Sequence, residues 1–306
     1  MLVQDWMLIA FIAPALWALV NVVDLFLVKR RIFKDEFEAA GVIGILGVPP
    51  AILVVFRGVS QIDLTVAGMA VFGGVLFTVC TFFLFRSLFR SDDVALVAVF
   101  MNLSGLVVPL LAMIIWNETL TLVQYVAIAL TVVGSIRLNR KNSVVDGSLR
   151  RIIMPMSMSV LAISLSMVME ERVYKMVGFH DGLPLFSLGI FIGGVFFCMR
   201  MPSGWRRAYR TIATNGVMLM MTEGINLLAT VSSQYAISIS PGGASFIATI
   251  ETTHPVFVLL ISWISLVFCK MFGLGDWVLI FREQFAGFRG KFLAVLLMLV
   301  GVCMLR

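Results

Sequence analysis

Long apolar runs recur along this chain with almost no charge inside them, and that recurrence decides most of what it can become. Ten runs can be marked, at residues 6–28, 39–56, 66–86, 94–116, 120–137, 152–171, 183–200, 212–236, 243–269 and 290–305. A helix needs ~20 mostly apolar residues to cross the hydrocarbon of a bilayer. Backbone polar groups in lipid find no water, so each run must bond internally as a helix. A closed barrel also meets that condition, but it is written in short alternating strands, which are absent. With 60% of residues hydrophobic and 13% charged, the chain has too little polar surface to cover a water-soluble core. The reading is an all-α, multi-pass integral membrane protein with ten transmembrane helices, in a plasma (inner) membrane. The first run is too long for a signal-peptide core and reads as a span.

Shifting the sequence by 146 residues lays it on itself without a gap. Lys29 then meets Lys175, Asp35 meets Asp181, Gly47 meets Gly193, Gly58 meets Gly204, Phe100 meets Phe246 and Pro109 meets Pro255. Asp24 meets Glu170, which keeps the charge. The chain therefore divides into a first five-helix repeat, 1–146, and a second, 147–306, joined by the polar stretch LNRKNSVVDGSLRR. Five spans per copy force the second copy to enter the membrane from the opposite side. Such inverted repeats are the architecture of alternating-access carriers. The copies differ by an insertion near 272–291, in GLGDWVLIFREQFAGFRGK, where Trp277, Phe281, Phe285 and Phe288 recur at helical spacing. It reads as an amphipathic helix at the membrane interface, with a longer ninth span plus a loop as the alternative. Nineteen Lys and Arg follow the odd-numbered spans and four lie on the other side, so both termini are expected outside. The same placement explains the net charge of +6 without a nucleic-acid partner.

A charge near the bilayer centre costs ~2.5–3.5 kcal/mol on insertion scales, so such residues mark cavities or helix–helix bonds. The eighth span places Glu223, Asn226 and Thr230 on one helical stripe, continued by Gln234. The ninth carries Glu251 and His254 on one face, beside Pro255, whose missing N–H and bulky ring disturb the preceding turn. The first places Trp17, Asn21 and Asp24 together, and the fourth adds Asn102. These nine residues are the candidate substrate-binding set: Trp17, Asn21, Asp24, Asn102, Glu223, Asn226, Thr230, Glu251 and His254. Structural pairs between neighbouring helices are the competing reading. Glu171 and Arg172 read as a solvated span end. Gly189 and Gly193 form a GxxxG, and Gly41, Gly44 and Gly47 recur at threes. They suit close packing within the chain or a homodimer face.

In order, a Trp mid-way in the first span (PALWALVNVVD), a fourth span running into a proline and ending at a glutamate (SGLVVPLLAMIIWNETLTLVQY), and a fifth ending near a glycine (ALTVVGSI) resemble the drug/metabolite transporter superfamily, in particular its EamA type. Two departures stand out. Trp17 is followed by Ala18 where the family usually has glycine. The glutamate after the second proline is displaced, to Glu283 at best. The resemblance implies a secondary carrier for small metabolites or drugs, with membrane lipid as its other partner.

The functional expectation is a secondary transporter in which buried acids on spans eight and nine bind either a proton or a cationic solute. A lipid-linked carrier or flippase of the same fold is the alternative. An ATP-driven pump is disfavoured by the lack of a GxxxxGK[ST] loop. An enzyme is not expected. Glu251-x-x-His254 resembles part of a metal motif, but the other histidine, His180, stands alone and the four cysteines form no CxxC, so no metal and no cofactor is implied.

Overall fold

A computed structural model describes residues 5–29, 32–52, 62–90, 94–139, 148–201, 204–271 and 288–305. Among them the chain is helical, with no strand. The helices are α1 (Asp5–Lys29), α2 (Glu36–Leu46), α3 (Leu64–Leu88), α4 (Val94–Met101), α5 (Ser104–Trp116), α6 (Leu122–Asn139), α7 (Ser148–Val177), α8 (Phe179–Arg200), α9 (Gly204–Ile239), α10 (Gly243–Glu251), α11 (His254–Met271) and α12 (Phe288–Met304). A 3₁₀ turn, Pro49–Ala51, follows α2.

Five stretches are long and apolar enough to cross a membrane: Leu64–Leu88, Val99–Trp116, Arg151–Val177, Phe179–Arg200 and Gly243–Ile264. Three shorter apolar helices accompany them, Trp6–Val20, Leu122–Leu138 and Lys291–Met304. The protein is thus an all-helical integral membrane protein. Of the insertion expected near 272–291, residues 272–287 lie outside the described residues, and α12 begins at Phe288.

Within the expected span 39–56 the helix α2 stops at Leu46, α9 kinks at Asn215, and two further expected spans are broken. Residues 94–116 divide into α4 and α5 at Asn102–Leu103, and residues 243–271 divide into α10 and α11 at Thr252–Thr253. Both breaks are tight 3₁₀-type turns. Leu103 N donates to Phe100 O at 2.9 Å and Leu106 N to Leu103 O at 2.9 Å. Thr253 N donates to Ile250 O at 2.9 Å and Val256 N to Thr253 O at 2.8 Å. The second break falls just before Pro255, where the missing N–H and the ring require it. Its carbonyls are re-bonded locally, the Thr252 and Thr253 hydroxyls donating to Thr249 O and Ile250 O at 2.7 and 2.6 Å. The first break precedes Pro109 by two turns, so that proline sits inside α5.

Glycines set the spacing of the bundle. A Cβ on Gly74 (α3) would collide with the carbonyl oxygen of Phe186 (α8), and one on Gly189 with that of Val71. A Cβ on Gly44 (α2) would lie 2.5 Å from the Cα of Gly194 (α8). Gly193 faces Thr78, whose hydroxyl lies 3.1 Å from the Ile190 carbonyl. The glycine stripes read from the sequence therefore pack α8 against α2 and α3 within the chain. On the far side Gly134 of α6 meets α12, and Gly301 of α12 meets α6.

Candidate functional site

One partly open cavity is lined by Trp17 (α1), Phe77 (α3), Ile163, Met167 and Glu170 (α7), Thr230, Ser233 and Gln234 (α9), and Glu251 (α10). It measures about 20 Å³, room for a water molecule but not for an organic solute. Its walls come from five helices, two of them before residue 90 and three after residue 147.

Two carboxyl groups face this space. Glu170 is 4% exposed. Its Oε1 lies 2.9 Å from the Ser166 hydroxyl, which is also 2.8 Å from the carbonyl oxygen of Gly73. A serine hydroxyl has a single proton, so it can donate to only one of these acceptors at a time. Glu251 is the last residue of α10, and its carboxylate accepts from the Ser233 hydroxyl. Two like charges facing one small low-dielectric space repel strongly, and a proton or a cation between them removes the repulsion.

Polar bonds between helices flank the cavity. Towards the C-terminal end of α7, Tyr174 donates to Gln234 Oε1 at 2.8 Å, tying α7 to α9. About two helical turns back along α9, Trp17 Nε1 donates to Asn226 Oδ1 at 3.0 Å, and Asn226 Nδ2 donates to Glu223 Oε2 at 3.1 Å. This second chain ties α1 to α9. Aromatic and aliphatic side chains, Phe77, Ile163 and Met167, fill the remaining wall.

The comparison with known families points to transport. Residues 4–140 match the EamA-like transporter family, part of the drug/metabolite transporter superfamily. The match covers the Trp17 and Pro109 motifs from which the resemblance was read. None of the curated proteins compared matches this chain. Among solved structures, one titled only "Crystal structure of protein" has a TM-score of 0.63, 17% identity, and covers 98% of this chain and 96% of its own. At that identity the likeness speaks for the fold alone.

The structure distributes the candidate residues unevenly. Trp17, Thr230 and Glu251 line the cavity. Asn226 and Glu223 belong to the bonded chain beside it. The Thr230 hydroxyl donates back to Asn226 O at 2.9 Å. His254 hydrogen-bonds the backbone of Trp17, tying α11 to α1, and is not among the lining residues. Asn102 sits buried in the α4–α5 break, and its Nδ2 has no hydrogen-bond partner among the described residues. Asn21 and Asp24 fall in a part of α1 whose side chains lie outside the described residues.

Sequence reasoning missed Glu170 and Ser233 as lining groups. The signal for Glu170 was present, since the 146-residue shift pairs it with Asp24. It also placed Glu171 at a solvated end, and the structure corrects this. Glu171 is 3% exposed, bonded to the backbone of α10 and to Lys175. Arg172, by contrast, is exposed and lies over the Trp116 ring at 5.1 Å.

Proposed function

We propose that this protein is a secondary transporter of small organic solutes that works by alternating access, exchanging protons for a cationic solute at Glu170 and Glu251. The observation that carries the reading is two carboxyl groups, from α7 and α10, in one cavity walled by helices of both sequence halves. A proton or an organic cation relieves their repulsion equally well, so the two compete for one space, and competition is the basis of exchange. Trp17 and Phe77 supply apolar and aromatic wall for the body of such a cation.

The ten-span, inverted-repeat reading supports the mechanism. Helix neighbours come in pairs under exchange of the halves: α3 packs on α7 as α9 packs on α1, and α4–α5 packs on α7 as α10–α11 packs on α1. α2 with α8, and α6 with α12, are self-paired contacts. A bundle with that pairing can rock one half against the other about a central site.

The test is transport by the purified full-length chain in liposomes with an acidic lumen, using a panel of primary, quaternary and polyamine solutes beside neutral and anionic ones. Uptake of a cationic solute coupled to proton loss from the lumen is expected for the parent. Glu251→Gln is expected to insert normally and to lose the dependence of uptake on the pH gradient, and Glu170→Gln to do the same. The other titratable groups at the cavity margin, Tyr174 on α7 and Glu223 on α9, remain in both variants. Uptake that follows the pH gradient in both glutamine variants as in the parent would overturn the proton-exchange reading.

A further inference from the structure

Glu170 faces the cavity, and the next residue, Glu171, faces away from it towards the N-terminus of α10. Glu171 Oε2 accepts from the backbone N–H of Ala244 at 2.9 Å, and its Oε1 pairs with Lys175 Nζ at 2.7 Å. The same Lys175 donates to Glu118 Oε1 at 2.8 Å, in the connection between α5 and α6. The Lys175 side chain is 50% exposed and that of Glu171 4%. The pair therefore stands at the boundary between water and the interior.

What this triad holds is a short helix, buried from Gly243 to Ile250. α10 is nine residues long. It begins at Gly243, whose φ of +51° is a left-handed conformation, and a Cβ there would collide with the Glu171 carboxylate. It ends at the Thr252–Thr253 break. Irregular turns at both ends allow it to move as a unit, with φ/ψ changes confined to a few residues. Its N-terminal end is fastened to Glu171 on α7 and its C-terminal end, through Glu251, to Ser233 on α9. Between these two fastenings Tyr174–Gln234 closes α7 on α9. The N–H groups and positive dipole end of α10 meet the buried carboxylate, so losing that contact leaves Glu171 with Lys175 alone unless water enters.

We propose that α10 is the gate at this mouth of the cavity, and that Glu118, Lys175 and Glu171 are its latch. This rests on the carrier reading for its purpose, though not for its test. Glu251, at one end of α10, senses what occupies the cavity. The latch at the other end, contributed by α7 and by the α5–α6 connection, decides whether the mouth is open. Lys175 is here a positioning residue that touches no solute. Breaking the latch frees α10 to swing about its two end turns and admits water to the carboxylate pair.

The experiment reads accessibility and needs no substrate. Met167, on the cavity wall, is replaced by cysteine in a chain whose four native cysteines are changed to alanine, and the protein is reconstituted in liposomes. The rate of labelling by a membrane-impermeant cationic thiosulfonate is then measured. Slow labelling is expected with the latch intact. Lys175→Met is expected to accelerate it roughly tenfold or more, and Glu118→Gln, which leaves the Lys175–Glu171 pair, by a smaller factor. Lys175→Arg, which keeps a cation between Glu118 and Glu171, is expected to hold the rate near the parent's. Size-exclusion behaviour and melting temperature confirm that each variant is folded. If Lys175→Met does not fold, Glu118→Gln and Lys175→Arg carry the test. Unchanged labelling in the folded latch variants would overturn the gate, and so would labelling of Lys175→Arg as fast as that of Lys175→Met, since that is general loosening. Latch-dependent labelling without transport of any solute would sink the carrier reading and leave the gate standing. Transport with labelling indifferent to the latch would do the reverse.

Discussion

Arg207→Met is expected to lower the stability of the folded chain by about 3–5 kcal/mol, the range found when one partner of a buried ion pair is removed. Arg207 lies one turn into α9 and joins it to the N-terminus of α2. Its Nε and Nη2 donate to Glu38 Oε2 at 2.9 and 2.6 Å, and its Nη1 donates to Asp35 Oδ2 at 2.8 Å. Glu38 is 0% exposed. It accepts further bonds from the Lys34 backbone N–H at 2.8 Å and from the Thr211 hydroxyl. Asp35 in turn caps α2, its Oδ1 accepting from Glu38 N at 2.9 Å. Without the guanidinium the Glu38 carboxylate remains buried with only neutral donors, and a desolvated charge is left without its counter-ion. Arg207→Lys is expected to fall between parent and methionine, because an ammonium offers one point charge where the fork offers several fixed donors. The double variant Glu38→Gln, Arg207→Met is expected to melt above Arg207→Met alone, since the stranded charge has gone. Thermal unfolding in detergent gives the order. A melting temperature for Arg207→Met within a degree of the parent's would remove the argument.

That network shows where the sequence is silent. Counting Lys and Arg treats Arg207 as one positive charge among nineteen on a membrane face. The count carries no information on partners 169 and 172 positions away. Glu171 fails for the same reason. Its neighbours along the chain, Glu170 and Arg172, make a solvated end the natural reading, and the backbone N–H that it meets arrives 73 residues later. What was legible was whatever depends on length, period or local chemistry. Apolar run length gave the helices. Pro255 gave the break in the ninth run, because a missing N–H and a bulky ring act within one turn. The break at Asn102 carried no such mark, and Pro109 points to a place two turns too late. Of the cavity, Trp17, Thr230 and Glu251 were within reach because a polar or aromatic side chain in an apolar run stands out. Ser233 was not, since a serine that can bond its own helix's carbonyls has no need of a cavity.

Gly189→Leu is expected to abolish the folded state, and Gly74→Leu likewise, where most single substitutions in a chain of this kind only weaken it. Inside a membrane, helices gain little from burying apolar surface against each other, because lipid is as apolar as a side chain. Close packing has to supply the association. α8 obtains it by placing Gly189 on the Val71 carbonyl and the Gly74 Cα of α3, while Gly74 rests on Phe186 O and Ile190 N of α8. The obstructing atoms are backbone in each case, so no rotamer change makes room, and the two helices must separate. Separation would propagate, since α8 meets α2 at Gly44 and Gly194 in the same manner and α3 supplies Phe77 to the cavity wall. Ordinary overpacking costs about 1–3 kcal/mol. Here a larger loss is expected, because two helix crossings share one rigid element. The control is Gly224→Ala on α9, where a new Cβ meets nothing within 4 Å. There the helix is expected to gain about 0.5–1 kcal/mol from the reduced backbone entropy of the unfolded chain. Membrane-inserted yield and melting temperature of the three variants separate the cases. Folded Gly189→Leu melting near the parent would mean that α3 and α8 can part without loss, and that their glycines are not what holds the bundle at its present spacing.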